Sequence, residues 1–212
     1  METPYYKYPR TFHVPWSPGA TSDDKTLRSM DQFEGKEIVV THKLDGENTS
    51  LYRDHYHARS IDSKHHQSQS IVKQLHASIA HEIPPMWRIA GENLYAKHSI
   101  HYPELASFFY VFGIYNENNV CLSWDDTKLF AGALGLLTVP VIYQGLYDSE
   151  ILEACYTGEG IFGGEQEGYV VRCAGAFCYC DHAKCTAKWV RPNHVQTDTH
   201  WRESWTPNEL AD

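Results

Sequence analysis

Hydrophobic and polar positions change period several times along the chain. One stretch, at about 68–82, places apolar residues four apart and therefore predicts an amphipathic helix, which two consecutive prolines end. The residues on its apolar face are Ile71, Leu75, Ile79 and Ile83. Two more helices are predicted: 125–137 begins with an acidic first turn, and 148–158 has an Asp or Ser cap and a Gly stop.

Short apolar runs between turn residues predict strands in most of the remaining chain. The predicted strands are 37–43, 49–60, 86–96, 108–116, 120–124, 138–145, 167–173, 176–180 and 186–192. Residues 4–25, rich in Pro, Tyr, Ser and Gly without a period, predict an extended arm and loop. The fold class that follows is α+β, with mixed or antiparallel sheets.

Length and composition fit one globular domain with tails. The chain has 212 residues, of which 42% are hydrophobic and 13% aromatic, which is enough for a substantial core. Without an apolar run of membrane-spanning length or an apolar signal core at the start, the expectation is a soluble, cytoplasmic protein that has no membrane partner. The sequence does not predict the oligomeric state.

The net charge of −9 argues against a surface coated with basic patches. The basic residues are instead local, which predicts a narrow cationic groove that could hold phosphates. They form two groups: Arg53, Arg59, Lys64, His65 and His66, and then Lys184, Lys188, Arg191 and His194.

The six cysteines are predicted to be reduced thiols. Five soft metal ligands crowd together near the C-terminus, namely Cys173, Cys178, Cys180, His182 and Cys185. Their spacing lacks the paired C-x2-C knuckles of zinc sites, and strand alternation would send the sulfurs to different faces. Packed thiols are therefore favoured over a zinc site.

The segment Lys43-Leu44-Asp45-Gly46-Glu47-Asn48 by itself is compatible with a surface hairpin, because Asp-Gly is a strong turn signal. Its weight comes from the motifs that follow it in order, up to Arg191. The six motifs are KLDGEN, ARS, GENLY, YVFGIY, EGYVVR and AKWVR. In this order they resemble the covalent nucleotidyltransferase superfamily of ligases and capping enzymes. Within it, the chain is most similar to the ATP-dependent RNA ligases of the RNA ligase 2 type, in a minimal single-domain form.

The resemblance implies a nucleotidyltransferase (ATP-grasp-like DNA/RNA ligase) domain of mainly antiparallel sheets around an ATP cleft, flanked by helices and without an OB domain. It divides the chain into an N-terminal arm and loop (1–35), an adenylyltransferase domain (36–194) and a C-terminal tail (195–212). The implied activity joins the 3′-hydroxyl and 5′-phosphate ends of RNA or another polynucleotide. The implied cofactors are ATP, as AMP donor, and Mg²⁺ or Mn²⁺.

The resemblance makes Lys43 the nucleophile that attacks the α-phosphate of ATP and carries AMP as a phosphoramidate. A free lysine is neutral only about one part in a thousand at pH 7.5, so we expect the site to lower the pKa of Lys43. Lys188 resembles the first lysine of the terminal motif, and it is the cation expected to contact the α-phosphate and discourage protonation of Lys43. The alternative for Lys188 is a solubilising lysine at a strand edge.

Four further residues take nucleotide-binding roles by resemblance. Arg59 resembles the arginine of the sugar and phosphate region, with an exposed ion pair as its alternative. Glu92 resembles the acid that accepts hydrogen bonds from the ribose hydroxyls. Phe112 resembles the aromatic residue that stacks on adenine, with ordinary core packing as its alternative. Glu167 resembles an acid that helps to bind the nucleotide and to place the divalent metal, and Gly168 lets its strand begin without a steric conflict.

The chain departs from the family pattern at three places. His42 precedes the nucleophile, where related RNA ligases often have Glu; its imidazole could read the base, or strand alternation could place it on the opposite sheet face. Gly113 follows Phe112 where an acid is common. The terminal motif reads Lys188-Trp189-Val190-Arg191, without a second lysine. Further candidates for phosphate or nucleic-acid contacts are Arg172, Lys184 and Arg191.

Other functions stay open at this point. The chain could be a minimal DNA ligase or a guanylyltransferase of the same superfamily, or a non-catalytic relative that only binds nucleic acid. A separate hypothesis concerns the arm segment 13–25, whose Gly, Ser and Pro content is typical of an ordered binding loop. We expect this segment to contact the polynucleotide or to close over the cleft.

Overall fold

The computed structural model describes residues 4–62, 66–192 and 205–211. Lys64, His65 and His194 of the predicted basic groups lie outside these residues. Within the described part, the chain forms twelve strands and four α-helices. The strands are β1 (Phe12–His13), β2 (Glu37–His42), β3 (Glu47–Tyr52), β4 (Tyr56–Ala58), β5 (Arg88–Asn93), β6 (Phe109–Tyr115), β7 (Val120–Cys121), β8 (Leu137–Thr138), β9 (Val141–Leu146), β10 (Gly168–Cys173), β11 (Phe177–Cys178) and β12 (Thr186–Val190). The helices are α1 (Ser70–Ile79), α2 (Trp124–Ala133), α3 (Ser149–Ala154) and α4 (His182–Cys185).

The described strands form two sheets. The first sheet has the order β1-β12-β10-β2-β9, and the second has the order β11-β7-β6-β5-β3-β4, with β8 beside β6. All described strand pairs are antiparallel except β1 with β12 and β6 with β8. The predicted α+β class with mainly antiparallel sheets is confirmed, and neither sheet closes into a barrel.

Two predicted strands are each split by a local feature that the apolar pattern did not show. The predicted strand 49–60 is a hairpin of β3 and β4, because the backbone N–H of Tyr52 donates to the carbonyl of His55 and turns the chain. The predicted strand 138–145 is split at Pro140, which cannot donate to a ladder, so that β8 and β9 join different sheets. The helix predicted at 68–82 is confirmed as α1 flanked by short 3-10 turns.

Three apolar clusters form the core, and the first of them includes residues of both sheets. The first sheet packs around Phe33, Tyr169 and Trp189, while β5 and β6 of the second sheet pack against α1 and α2 through residues such as Val72 and Ile89. A third cluster, which includes Leu44 and Trp124, lies beside the segment that connects the sheets. No helix in the described part of the chain is long and apolar enough to cross a membrane.

Candidate functional site

The segment from Lys43 to Gly46 carries the chain from the first sheet to the second. β2 lies between β10 and β9 in the first sheet, whereas β3 lies between β5 and β4 in the second. The alternative of a surface hairpin is therefore wrong, since β2 and β3 do not pair. The Asp-Gly turn makes a crossover, and the crossover places Lys43 between the two sheets.

A cavity of about 310 Å³ lies beside this crossover. Its lining combines basic, acidic and aromatic side chains from both sheets and from the N-terminal arm. Of the residues predicted for the site, His42, Lys43, Arg59, Glu92, Phe112, Arg172 and Lys188 line it. The remaining predicted residues, Glu167, Lys184 and Arg191, are not part of the lining. Each of the six motifs thus contributes at least one residue to the cavity.

Sheet register explains why Lys188 lies at the cavity. Val170 pairs with Thr41 on one side and with Lys188 on the other, and cross-strand partners share a face of the sheet. All three line the cavity. On the far side of β12, Lys188 pairs with His13 of the arm, and its ammonium lies 4.0 Å from the carboxylate of Asp24. The alternative of a solubilising edge lysine does not describe this half-buried side chain, because β12 is an interior strand.

Glu167 lies directly behind the nucleophile. The backbone N–H of Lys43 donates to the carbonyl of Gly168, and that of Arg191 donates to the carbonyl of Glu167. These bonds hold the buried Glu167 side chain between two cations, 3.6 Å from Lys43 Nζ and 3.4 Å from Arg191 Nε. Gly168 has φ +154°, and a Cβ there would collide with the carbonyl oxygen of Trp189. The glycine therefore lets β10 begin beside Trp189, as the sequence predicts.

Glu92 and Asp45 complete the acidic surroundings of Lys43. Glu92 lies on β5 and accepts a hydrogen bond from the backbone N–H of Gly46 at 3.2 Å. Asp45 accepts hydrogen bonds from Ser99 N and Ser99 Oγ and from a neighbouring backbone N–H, so its carboxylate is held in place. Asp45 therefore belongs to the crossover and Glu92 is hydrogen-bonded to it from β5. Asp45 is a site residue that the motif comparison did not single out.

Charge, and not burial, decides the pKa of Lys43. Burial alone would lower it, but the carboxylates of Glu167, Asp45 and Glu92 together outweigh burial and raise the pKa above its usual value. The expectation that the site lowers the pKa of Lys43 is wrong for the protein without nucleotide or metal. The physical reason is that three acids lie near the Lys43 ammonium. Their spacing along the chain did not reveal that they come together.

Burial shifts the pKa values of Lys188 and of the acids Glu92 and Glu167 in opposite directions, because it disfavours the charged form of each. Burial lowers the pKa of Lys188 to about 8, with a further contribution from the charge of Lys43. Burial raises the pKa of Glu92 to about 8, and it also raises the pKa of Glu167. At both carboxylates, burial therefore outweighs the effect of the nearby positive charges on the pKa. Lys188, with a pKa of about 8, can lose its proton near neutral pH.

This donor set fits a divalent cation that also binds substrate phosphates. Carboxylate oxygens suit magnesium and manganese, which proteins often hold through one or two carboxylates plus phosphates. The carboxylates around Lys43 do not converge on one point. Within the described chain, the only group of three or more His, Cys, Asp or Glu residues whose ligand atoms all lie within 4.8 Å of one another is Cys178, Cys180 and Asp181. Glu167 as a metal-placing residue stays a prediction.

Phe112 reaches the cavity through an irregularity in the sheet. The β5–β6 register shifts so that Gly91 pairs with Val111 and Ala90 with Gly113, which leaves Phe112 as the extra residue of a β-bulge. Bulges redirect side chains, and Phe112 lines the cavity. The ring of Tyr8 from the arm meets it edge to face, with centroids 5.0 Å apart. Phe112 also packs against two of the apolar clusters, so core packing and a stacking surface coexist.

His42 borders the cavity but belongs to the other face of its strand. It pairs with Tyr169, which lies in the core of the first sheet, whereas its neighbour Thr41 pairs with Val170 beside the cavity. Strand alternation therefore directs the His42 side chain away from that row. Burial lowers its pKa, which favours the neutral imidazole. Base reading by His42 stays a prediction.

Three basic candidates occupy different surroundings. The buried Arg172 guanidinium donates to the carbonyls of Phe112 and Leu122 and so braces the first sheet against the second. Arg191 is also buried and contacts the carboxylates of Glu165 and Glu167. Lys184 is exposed on α4, where it pairs with Asp181 at 2.8 Å. Of the three, only Arg172 lines the cavity.

The soft-ligand cluster does not gather around one point. Cys178 and Cys180 are exposed beside Asp181, whereas His182 is buried and bonded to Thr11. Cys173 at the end of β10 and Cys185 at the end of α4 lie together, and a hydrogen bond between their thiols lowers the pKa of Cys173 to about 7. All six cysteines are free thiols.

The arm contributes a wall of the cavity that the sequence analysis placed only in general terms. Its lining residues are Tyr8, Pro9, Arg10, Thr11 and Asp24. Only Asp24 belongs to the arm segment 13–25 that was expected to contact substrate. No periodicity or motif marked the others. Their position depends on the pairing of β1 with β12, which is a contact across most of the chain length.

Comparison with known proteins agrees with this architecture. The sequence model described as RNA ligase matches residues 36–190. A mutant of Naegleria gruberi RNA ligase solved with ATP and Mn is similar at a TM-score of 0.55 and 17% identity, covering 76% of this chain and 52% of that one. The same ligase solved with PPi has a TM-score of 0.57 and 17% identity, covering 90% of this chain and 61% of that one. No curated protein matches the chain.

These structural likenesses concern the fold, and the chain spans between about half and three fifths of the length of these two solved proteins. The fold is that of the RNA ligase nucleotidyltransferase domain, as the sequence predicts. The family match covers more than half of the 212 residues, and it includes both the crossover lysine and Lys188.

Proposed function

The chain belongs to the RNA ligase family, and from this premise we propose that it is an ATP-dependent RNA ligase. It joins a 3′-hydroxyl to a 5′-phosphate through AMP held covalently on Lys43. The observation that carries the proposal is the position of Lys43. It lies at a crossover between two sheets, in a cavity that also presents an aromatic ring, a buried acid and a second lysine.

In the first step, the Nζ of Lys43 attacks the α-phosphate of ATP. A P–N bond forms, the bond to the β-phosphate oxygen breaks, and pyrophosphate leaves with the electron pair. Lys43 must first lose its proton, which the surrounding carboxylates oppose. Magnesium or manganese, bound together with ATP, supplies positive charge that offsets these carboxylates and the phosphates. Similar solved ligases contain ATP or AMP with Mn, which supports this choice of cofactors.

The other cavity residues bind and orient the nucleotide. Phe112 offers a ring face for adenine, a contact worth about 1–3 kcal/mol for bases on aromatic platforms. Glu92 accepts hydrogen bonds from the ribose hydroxyls, and Lys188 contacts the α-phosphate. Lys188 faces the cavity from the middle of the first sheet, so its ammonium is held by a rigid element.

The next two steps use the stored AMP. An oxygen of the strand's 5′-phosphate attacks the α-phosphate, the P–N bond breaks, and Lys43 recovers a proton. The 3′-hydroxyl of the other strand then attacks the activated 5′-phosphate and expels AMP. Lys43 is needed only to accept AMP from ATP and to pass it to the 5′-phosphate. These two transfers can therefore be separated from the final sealing step by experiment.

The test is covalent labelling by α-labelled ATP in the presence of Mn²⁺ or Mg²⁺. We expect the wild-type chain to take up label, Lys43→Ala to take up none, and the same variant to retain sealing of a pre-adenylated RNA strand. Label on Lys43→Ala would show that another residue is the nucleophile. Label from GTP but not ATP would identify a guanylyltransferase, and sealing of DNA but not RNA would identify a DNA ligase. RNA binding without label from either nucleotide would identify a non-catalytic relative.

A further inference from the structure

A second cavity, of about 380 Å³, continues the nucleotide cavity toward solvent. The two share Tyr8, Pro9, Arg10 and Arg59, so one wall belongs to both. Lys7, Ser60 and Tyr179 complete the second cavity. Its basic residues come from two separate elements, the N-terminal arm and the segment after β4, and no acidic residue of the described chain lines it.

The cations of this second cavity are not neutralised. Lys7, Arg10 and Arg59 are exposed, and no carboxylate of the described residues lies within 4.0 Å of their charged groups. In a chain with 27 acidic and 18 basic residues, three such cations around one cavity create a local positive field. The field extends inward, because the charges of Arg59 and Arg10 contribute to the lowered pKa of Lys188.

The arm residues are fixed in position by contacts on either side. The hydroxyl of Tyr179 donates to the carbonyl of Lys7 at 2.6 Å, and Arg10 donates to the carbonyl of Asp23 at 2.7 Å. Between them, the ring of Tyr8 packs against Phe112 and His182. The segment is therefore held before any ligand arrives, which reduces the entropy that binding must offset.

We propose that this second cavity is a phosphate subsite, in which Lys7 and Arg10 of the arm, together with Arg59, hold the phosphate group that lies opposite Lys43 during AMP transfer. The proposal rests on the proposed ligase function, because that reaction brings pyrophosphate and the 5′-phosphate of the RNA strand to this site. The proposal gives the arm a direct role, in which Lys7 and Arg10 bind substrate phosphates.

In-line displacement explains why one subsite serves two ligands. Attacking and leaving groups take opposite positions on a phosphorus atom. When Lys43 attacks the α-phosphate, pyrophosphate departs on the side opposite its Nζ. When Lys43 later leaves, the 5′-phosphate oxygen of the strand enters on that same side. Pyrophosphate and the 5′-phosphate share phosphate oxygens as their recognised chemistry, and arginine and lysine are the side chains that bind these best.

Binding measurements on the full chain test the subsite without requiring catalysis. The ligands are inorganic pyrophosphate and one short RNA made with either a 5′-phosphate or a 5′-hydroxyl, each at fixed salt. The variants are Lys7→Ala, Arg10→Ala and the conservative Lys7→Arg. The matched control is Arg28→Ala, which removes the same charge from an exposed arm residue that lines neither cavity. Thermal unfolding of each variant checks that the arm stays folded.

We expect the wild type to prefer the 5′-phosphorylated RNA. Lys7→Ala and Arg10→Ala should each weaken pyrophosphate binding, the 5′-phosphate preference, or both, by about tenfold, while Lys7→Arg and Arg28→Ala stay within about twofold. Loss for pyrophosphate alone assigns the subsite to the leaving group, and loss for the 5′-phosphate alone assigns it to the strand. If Lys7→Ala and Arg10→Ala bind both ligands as Arg28→Ala does, the subsite is wrong.

Failure of the proposed function gives a different result. A wild-type chain that takes no label from ATP, yet shows the phosphate preference and loses it in Lys7→Ala, would retain the subsite and remove the ligase activity. A chain that is labelled by ATP and binds phosphate independently of the arm would retain the ligase activity and remove the subsite.

Discussion

At Lys43, burial and charge act against each other, and charge dominates. Three acids within the same crossover region raise its pKa, so the amine is protonated at neutral pH before ATP arrives. Glu92, whose pKa is raised to about 8, is largely protonated there as well. The free protein thus holds two protons that the proposed first step must release, one from the nucleophile and one from the acid assigned to the ribose.

The protonation of Lys43 and Glu92 in the free protein predicts how the rate of AMP loading depends on pH. Below pH 8, the logarithm of kcat/KM for ATP should rise with a slope of about 2 per pH unit, because both Glu92 and Lys43 must deprotonate in the free protein. Above pH 8, Glu92 is already ionised and Lys188, whose pKa is about 8, loses the charge that contacts the α-phosphate, so the slope should fall to about 0. Label uptake at subsaturating ATP and constant Mn²⁺ measures it. Glu92→Gln should give a slope of about 1 below pH 8; an unchanged slope of 2 there would contradict the assignment.

Three side chains of the EGYVVR and AKW region differ sharply in setting. Glu167 is buried against Lys43, Lys188 lines the cavity, and Lys184 is exposed in a surface ion pair. Glu167→Ala and Lys188→Ala should therefore reduce the labelling rate by at least about a hundredfold, as loss of a group beside the reacting atoms often does. Lys184→Ala should stay within about twofold. Rapid-quench labelling compares them, and comparable losses in all three would show that the terminal motif is misplaced.

At the level of elements, the described C-terminal segment 205–211 supports the nucleophile loop from behind. Asn208 is buried; its Oδ1 accepts from the backbone N–H of Tyr102 at 2.9 Å and its Nδ2 donates to the carbonyl of Leu94 at 2.8 Å. The hydroxyl of Tyr102 in turn accepts from the backbone N–H of Asp45. The tail thus reaches the crossover through two hydrogen bonds in series.

Removing this support should lower stability. Asn208→Ala leaves the buried N–H of Tyr102 and the carbonyl of Leu94 without partners, which should reduce the free energy of unfolding by about 2–3 kcal/mol. Urea unfolding at a fixed temperature measures the change. The neighbouring Glu209→Ala is the control, because Glu209 is exposed and its ion pair with His101 should contribute less than about 1 kcal/mol. Equal destabilisation by both variants would contradict the bracing role of Asn208.

For the whole molecule, the arm is a structural part of the first sheet as well as a wall of the cavity. β1 pairs with β12, Val14 is fully buried, and the backbone N–H groups of Val14 and Gly19 donate to carbonyls of β12. The arm also meets the second sheet, where Tyr5 contacts Tyr52. It therefore connects both sheets across the mouth of the cleft.

Deletion of residues 1–24 should destabilise the whole domain. It removes an apolar residue from the core and leaves carbonyl groups of β12 without partners, which should lower the free energy of unfolding by at least about 3 kcal/mol. Thermal and urea unfolding measure this loss, and deletion of residues 1–4 alone provides the control. If the longer deletion melts like the shorter one, the arm serves only the substrate.

The α+β class, the amphipathic helix α1 and the motifs typical of the family could all be predicted from the sequence. These features depend on local periodicity, on turn residues and on the order of short motifs, which are all properties of the linear sequence. It also placed Lys43, Glu92, Phe112 and Lys188 together, because the resemblance links residues that are distant in sequence. The role of Gly168 was also predicted correctly, since its close approach to Trp189 requires the absence of a Cβ.

Features that depend on contacts between distant segments could not be predicted from the sequence and follow from the folded chain. An Asp-Gly turn joins paired strands or crosses between sheets with the same local chemistry, and the partners of β2 and β3 make the choice. The bulge that frees Phe112 is a property of the β5–β6 register, and the course of the arm depends on β12. The sign of the Lys43 pKa shift follows from three carboxylates that meet only in the folded chain, since electrostatic interactions depend on distance in space and not along the sequence.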